Sequence, residues 1–350
     1  AHWDRVRVRA GVGVRVSNYH HVRLICEYDQ ISRDWETNFS DQNDPRNACF
    51  DRSIFLALSE RLDMSEVREV SNVFVGGLCG NMGFTYTDAR GKKAFVKINR
   101  EIDKSMFEAE MIGLERLEAT NTIRVPQPHL TGTLESGTGS FIVLEHLFLQ
   151  PFGALRPSVQ ALLGEQMAQL HLASVSPVAN FGFDVDNRIG KNEQFNQWHS
   201  DWPTFFIQQR LLPALQMTYR KLNDSQFVTK GNEVAKVVPS LFEGIEIKPC
   251  LCVGDLWIGN VASDAKEQPV VYDPACVYGH NEYDLSLSFF FGYFRPEFYS
   301  AYFSLIPKEP GFEERQPLYE LYHALLSLLT SGHSHHYQTC FNLMDRILKC

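Results

Sequence analysis

The sequence predicts an α+β protein of two lobes: a small, mostly antiparallel sheet lobe with one key helix, then a larger, mostly helical lobe. Three features predict it. Residues 67–99 read as strand-like runs broken by a glycine-rich turn and a hairpin signal. From about residue 150 onward, apolar residues recur at helical spacing. Between those helices, two short apolar segments, 250–262 and 269–273, carry Asp255, Asn260 and Asp273 at their ends, where charge is costly to hold.

Taken in order, residues 1–25 carry Arg5, Arg7, Arg9, Arg15 and Arg23 against one acid, Asp4, and residues 27–45 are polar and acid-rich. A basic, acid-poor leader has the composition of an organelle transit segment, but this one is poor in serine and alternates like a strand in VRVRAGVGVRV. Residues 1–50 are therefore an N-terminal extension, disordered or targeting. The chain is expected in the cytoplasm, or in a plastid or mitochondrion if the leader is a transit peptide. The sheet lobe is expected over 51–148. It opens on a helix, RSIFLALSERL, and continues through strands joined at the hairpin signal DARGK. A helix over DKSMFEAEMIGLERLEA follows, then strands in IRVPQPHLTGTL and SFIVLEHL. The helical lobe is expected over 149–350, with helices in SVQALLGEQMAQLHLAS, WPTFFIQQRLLPALQMTYRKL, NEVAKVVPSLF, EFYSAYFSLI, PLYELYHALLSLLTS and CFNLMDRIL.

Bulk properties narrow the function classes. The hydrophobic content of 44% is enough for a sizeable core, and the net charge of −9 argues against nucleic-acid or anionic-membrane binding. No apolar run approaches the roughly 20 residues that span a bilayer. Eight cysteines repeat no zinc-site spacing and are too sparse for a disulfide scaffold, so they read as mostly reduced thiols. Cys250 and Cys252 share one side of a strand, where core packing is the commoner use. His333, His335 and His336 lack a cysteine pair or carboxylate at ligand spacing and read as a polar interhelical loop.

In the first lobe, GGLCGNMG (76–83) sits between two strand-like runs, and its glycines let backbone N–H groups approach phosphate oxygens closely. The next strand carries Lys97. Val96 and Ile98 face one way, so Lys97 faces the other. Thirteen residues on, within the helix, is Glu110. A lysine held by a helical glutamate can grip the α- and β-phosphates of a nucleotide. A surface ion pair has the same spacing, so the first lobe alone leaves both readings open.

The second lobe decides between them. Phosphoryl transfer needs an Asp to orient the attacking hydroxyl and accept its proton. It also needs an Asn and an Asp to hold magnesium, whose charge offsets that developing on the phosphoryl oxygens. Asp255, Asn260 and Asp273 occur in that order and spacing.

With these residues in place, the chain resembles the fructosamine-3-kinases, or ketosamine-3-kinases, relatives of the aminoglycoside and choline kinases. The resemblance runs from about residue 55 to 348. It is carried by GGLCGNMGFTY, FVKIN with MFEAEMIGLERL, IRVPQP, LGEQMAQLHL, NFGFDVDNRIG, WHSDWPTFFIQQRL, GDLWIGNVA, YDPACVYGHNEYDLSL and IPKEPGFEERQPLYELYHAL. It implies a protein-kinase-like fold and transfer of the γ-phosphate of ATP to the 3-hydroxyl of a ketosamine, the sugar adduct that glycation leaves on an amine or protein lysine. The phosphorylated adduct then falls off, which makes the activity a deglycation repair. By position, the resemblance implies Asp255 as catalytic base, Asn260 and Asp273 as Mg2+ ligands, and Lys97 with Glu110 as the phosphate-gripping pair. It further implies a phosphate loop of Gly76, Gly77, Cys79, Gly80 and Asn81, with Glu145, His146 and Leu147 facing the adenine.

Two positions depart from the family pattern. The motif usually reads HGDLW followed by a small residue; here the histidine is Val253 and the small residue is Ile258. These departures support one alternative, a catalytically silent kinase-like module; a second, a kinase of the aminoglycoside or choline type, has the DLW and YGHNEY elements against it. Trp257, two residues past the base, reads as a platform for the ketosamine. His280, Glu282 and Asp284 read as groups that brace the magnesium loop, as substrate contacts, or as acids at a helix start, with Asp284 the foremost bracing candidate. A thiol among backbone N–H groups favours its thiolate, so Cys79 is expected to be oxidisable, including to a disulfide-linked homodimer of an otherwise monomeric protein.

Overall fold

Strands form in the first lobe where alternation gives each one an apolar side to bury. The computed structural model describes residues 7–8, 12–13, 49–64, 66–75, 80–151 and 156–349. The described residues divide into two compact units. One takes the chain up to Met111 together with Pro126–Leu147, and the other takes Ile112–Val125 together with the chain from Phe148 onward.

The first unit holds helix α1 (Arg52–Leu62) and strands β1 (Val67–Val75), β2 (Met82–Asp88), β3 (Lys93–Asn99), β4 (Pro128–Thr133) and β5 (Ser140–Glu145). The sheet order is β1-β2-β3-β5-β4, antiparallel throughout. Asp51 caps α1 by accepting the N–H of Ser53 at 3.0 Å. Ile54 and Leu58 of α1 pack with Phe84, Val96, Ile98, Phe141 and Val143 into one core. The hairpin falls at DARGK, where Asp88 Oδ1 accepts from the N–H groups of Arg90 and Lys92, each at 2.8 Å.

Helix α2 (Ser105–Ala119) follows β3. In the second unit, helix α3 (Pro157–Ala173) precedes a helical run broken in an instructive way. The segment read as one helix, WPTFFIQQRLLPALQMTYRKL, is α-helical over Trp202–Phe206 and Leu212–Leu222 but π-helical over Ile207–Leu211. Pro213 has no N–H to continue the ladder, which favours a wider turn just before it. Short strands β6 (Cys250–Cys252) and β9 (Val277–Gly279) pair antiparallel, as do β7 (Val261–Ser263) and β8 (Pro269–Val271). Helices α4 (Asn281–Phe291), α5 (Phe312–Ser331) and α6 (Ser334–Ile347) close the unit. Trp202, Phe205, Phe206, Tyr319 and Tyr322 form its aromatic centre, and the Trp202 indole donates to the Tyr319 hydroxyl at 2.9 Å. None of the described helices is long and apolar enough to cross a membrane.

One expectation is corrected here. His335 and His336 are not in an interhelical loop; they lie in the first turn of α6, with His333 at its N-cap. Cys340, Leu343, Met344 and Ile347 give that helix a buried face, and the histidines precede it in the same helix.

Candidate active site

The residues singled out from the sequence fall into two clusters, one in each unit. In the first unit, β3 runs Val96, Lys97, Ile98. The two apolar neighbours enter the core under α1, and Lys97 turns to the opposite side. There its Nζ donates to both carboxylate oxygens of Glu110, at 2.9 and 2.8 Å. Both side chains are below 10% exposed, at 7% and 9%, so this is a buried pair and not the surface pair that the spacing also allowed. The ammonium also lies 5.8 Å from the centre of the Phe107 ring.

Asn81, at the far end of the glycine-rich turn, is tied to β3: Asn99 donates through Nδ2 to its Oδ1 at 2.8 Å. Asn99 in turn accepts the N–H groups of Glu101 and Ile102, each at 2.9 Å. Sequence reasoning gave Asn99 no role; its only signal was an amide at the end of an apolar strand. Gly80 has φ +77, a conformation that suits glycine. Gly76, Gly77 and Cys79 lie outside the described residues. At the end of β5, Glu145 and Gln127 are joined twice: the Glu145 N–H donates to the Gln127 carbonyl at 2.8 Å, and the Glu145 carboxylate accepts the Gln127 N–H at 3.1 Å. His146 and Leu147 follow, half-buried. Burial, with the nearby charge of Lys93, holds the His146 imidazole below its ordinary pKa.

In the second unit, Asp255 follows β6 on a tight turn. Gly254 takes φ +81, and a Cβ there would lie 2.0 Å from the backbone oxygen of Ala275. The turn is fastened to the neighbouring segment by the Ala275 N–H, which donates to the Val253 carbonyl at 2.9 Å. Asn260 closes the site from the other side. Its Nδ2 donates to Asp255 Oδ2 at 2.8 Å, to the Asp255 carbonyl at 3.0 Å and to the Asp273 carbonyl at 3.4 Å. With Nδ2 so engaged, Oδ1 is the end left to accept a cation. Asp273 has φ +53, an uncommon conformation that asparagine and aspartate tolerate best and that recurs at functional sites. Burial, followed by the charges of Asp273 and Asp284, raises the Asp255 carboxyl to about 7, against the opposing hydrogen bond from Asn260. One amide oxygen and one carboxylate form a hard-oxygen donor set that fits Mg2+, which takes few protein ligands and fills its shell with phosphate and water.

Asp284 is fully enclosed, and its carboxylate accepts the N–H groups of Val253 and Gly254, both at 2.8 Å. It therefore fixes the backbone that carries Asp255. His280 and Glu282 do not fit the substrate-contact reading, because both are buried, 3% and 2% exposed. His280 Nδ1 faces the Tyr319 hydroxyl at 2.7 Å, and burial pushes its pKa well below the ordinary value, so the ring is neutral. Glu282 takes a two-pronged contact from Arg315, at 2.8 and 2.6 Å. The start of α4 points these side chains inward, which the sequence run YGHNEYDL does not reveal. Trp257 remains partly exposed. Its ring contacts Phe291 with centroids 5.5 Å apart and covers Gly259, where a Cβ would come within 2.3 Å of the indole. His171, Cys250 and Cys252 bring their donor atoms within 4.8 Å of one another. Both imidazole nitrogens face other partners, and both thiols point at backbone carbonyls, which is packing and not ligation.

Lys97→Met is expected to abolish ATP-dependent turnover and to cost about 3 kcal/mol of stability, because it strands Glu110 as an uncompensated buried charge. Adding Glu110→Gln should recover stability in urea denaturation and none of the turnover. Equal stability of the single and double variants would refute the buried-charge argument.

The fructosamine kinase family model matches residues 52–350. The chain belongs to the fructosamine kinase family. Among relatives of this kinase, the chloroplastic protein-ribulosamine 3-kinase of Arabidopsis thaliana is 44% identical over 261 residues, covering 74% of this chain and 78% of the relative. The ketosamine-3-kinase of Mus musculus is 37% identical over 291 residues, covering 77% and 91%. A Haemophilus somnus crystal structure, described as a candidate fructosamine-3-kinase, superposes with TM-score 0.75 at 28% identity, covering 84% and 96%. An aminoglycoside phosphotransferase superposes with TM-score 0.57 at 16% identity, covering 83% and 97%, which bears on the fold alone.

Proposed function

We propose that the chain phosphorylates the sugar 3-hydroxyl of ketosamines with ATP, as the first step of deglycation. The observation that carries this reading is the Asp255–Asn260–Asp273 group, in which the Asn260 amide donates both to the Asp255 carboxylate and to the backbone carbonyl of Asp273. Asp255 accepts the proton of the 3-hydroxyl as its oxygen attacks the γ-phosphorus, and the bond from that phosphorus to ADP breaks. Asn260 and Asp273 would hold Mg2+, which would offset the charge that grows on the phosphoryl oxygens. Lys97, oriented by Glu110, takes the α- and β-phosphates. Trp257 gives the acceptor sugar a flat wall.

The ribulosamine kinase relatives in plants support a ribulosyl adduct as the favoured acceptor. Their chloroplastic naming supports an organellar address, with the basic stretch before residue 50 as the targeting segment. The test is Mg2+-dependent ATP consumption with ribulosyl-lysine and fructosyl-lysine side by side. Turnover of both, faster on ribulosyl-lysine, is expected. ATP binding with no turnover of either would replace this reading with that of a silent module.

A further inference from the structure

Asp284 is a buried side chain whose two oxygens accept two backbone N–H groups, and two such bonds leave acceptor capacity unfilled. The third partner comes from helix α3. His171, in its last turn, sets Nε2 3.2 Å from Asp284 Oδ2, with the two side chains 1% and 0% exposed. On the other side of the ring, Nδ1 lies 2.7 Å from the Tyr302 hydroxyl. That hydroxyl accepts from Asn281 Nδ2 at 3.0 Å. With the His171 ring in its neutral Nε2–H form, the donors and acceptors close in one direction. Asn281 donates to Tyr302 oxygen, and the Tyr302 O–H donates to Nδ1. The hydrogen on Nε2 is then directed at Asp284, which receives it along with the N–H groups of Val253 and Gly254.

We propose that the Asn281–Tyr302–His171 chain is the positioning device of the catalytic turn, acting through Asp284 to aim Asp255. The turn itself supplies no side-chain brace. Val253 is fully buried with an apolar side chain and bonds only through its backbone N–H and carbonyl, and Gly254 has no side chain. Where the family resemblance leads one to expect a histidine within the turn, this protein anchors the turn by its backbone, from helices α3 and α4 and the helix Pro296–Leu305 that carries Tyr302. His171 is a positioning residue; it reaches neither the sugar nor ATP in this scheme. By this inference Val253 is compatible with catalysis.

The inference rests on the kinase reading, so its test has an arm that needs no turnover. Amide hydrogen exchange is followed at Val253 and Gly254 in the wild type, His171→Leu, His171→Gln and Tyr302→Phe. In His171→Leu these two amides should exchange faster while those of β7 and β8 stay as in the wild type. His171→Gln, whose amide N–H can still reach Asp284, should restore much of their protection. Tyr302→Phe, which removes one hydroxyl and little volume, decides the case should His171→Leu fail to fold. It should raise exchange at the same two amides.

In the turnover arm, a misaimed base should lower kcat roughly 10- to 100-fold in His171→Leu with KM for ATP nearly unchanged. His171→Gln should recover most of that loss. Unchanged exchange at Val253 and Gly254 in a folded His171→Leu, or in Tyr302→Phe, overturns the proposal. So does a loss of kcat that tracks melting temperature across all variants with no rescue by glutamine. Faster exchange at the two amides in a protein that phosphorylates no ketosamine would retain the positioning device and reject the substrate reading.

Discussion

Asp255→Asn is expected to lower kcat by roughly 10²–10⁴-fold, the range removed with a general base, and also to stabilise the free protein above neutral pH. The second effect follows from where the carboxyl sits. Burial and the charges of Asp273 and Asp284 raise its pKa from 3.8 to about 7. Between those values the folded state binds more protons than the unfolded state, so stability falls as pH rises from 3.8 to about 7 and stays at the lower level above it. Asparagine does not titrate. The melting temperature of the variant relative to wild type should therefore climb through that window and level off above it. Parallel melting curves at every pH would refute the assigned burial.

The same shift sets the activity profile. As the proposed base, Asp255 would have to be ionised to accept the hydroxyl proton, so kcat/KM should rise with pH through about 7. A divalent cation bound, as proposed, at the adjacent Asn260 and Asp273 would favour the carboxylate, so kcat at saturating Mg2+-ATP should show its acidic limb at lower pH. Stability given up at a catalytic carboxylate is the usual sign of a group held for chemistry and not for folding.

The sequence disclosed those groups that act through regular elements. The alternation Val96–Lys97–Ile98 separates a core face from a functional face on any strand, and Glu110 was found because α2 keeps its helical period. Asp255, Asn260 and Asp273 stand out because charged and amide side chains end apolar runs. What stayed hidden depends on contacts distant in sequence. The bond from Asp284 to Gly254 spans 30 residues, and that from His171 to Asp284 spans 113. No local pattern encodes either. For His280 and Glu282 the substrate-contact reading arose for the converse reason: they neighbour the segment ending at Asp273 in sequence, yet the start of α4, a helix start being another reading of this run, directs them at Tyr319 and Arg315. The histidines 333, 335 and 336 read as loop because a solvent-facing helical turn is polar, and only the buried face of α6 identifies it as helix.

Gly254→Ala is expected to be among the most damaging single substitutions, costing roughly 4–5 kcal/mol and abolishing turnover. Two independent penalties act at that position. A Cβ at φ +81 carries the left-handed cost of about 1–2 kcal/mol. It would also stand 2.0 Å from the Ala275 carbonyl oxygen, a backbone atom that cannot rotate away. Relief requires parting the turn from the segment after Asp273, which breaks the Ala275-to-Val253 bond and pulls the Gly254 N–H off Asp284. Asp255 and Asp273, the proposed base and metal ligand, then lose their common frame in one step. Gly80→Ala supplies the control, because its φ of +77 carries the same conformational cost while no atom of the described residues lies within 4 Å of the added carbon. Its destabilisation should stay near 1–2 kcal/mol. Urea denaturation of the two variants compares the terms directly. Equal losses would mean that the left-handed backbone alone matters at Gly254, and that the catalytic turn is not held against Ala275.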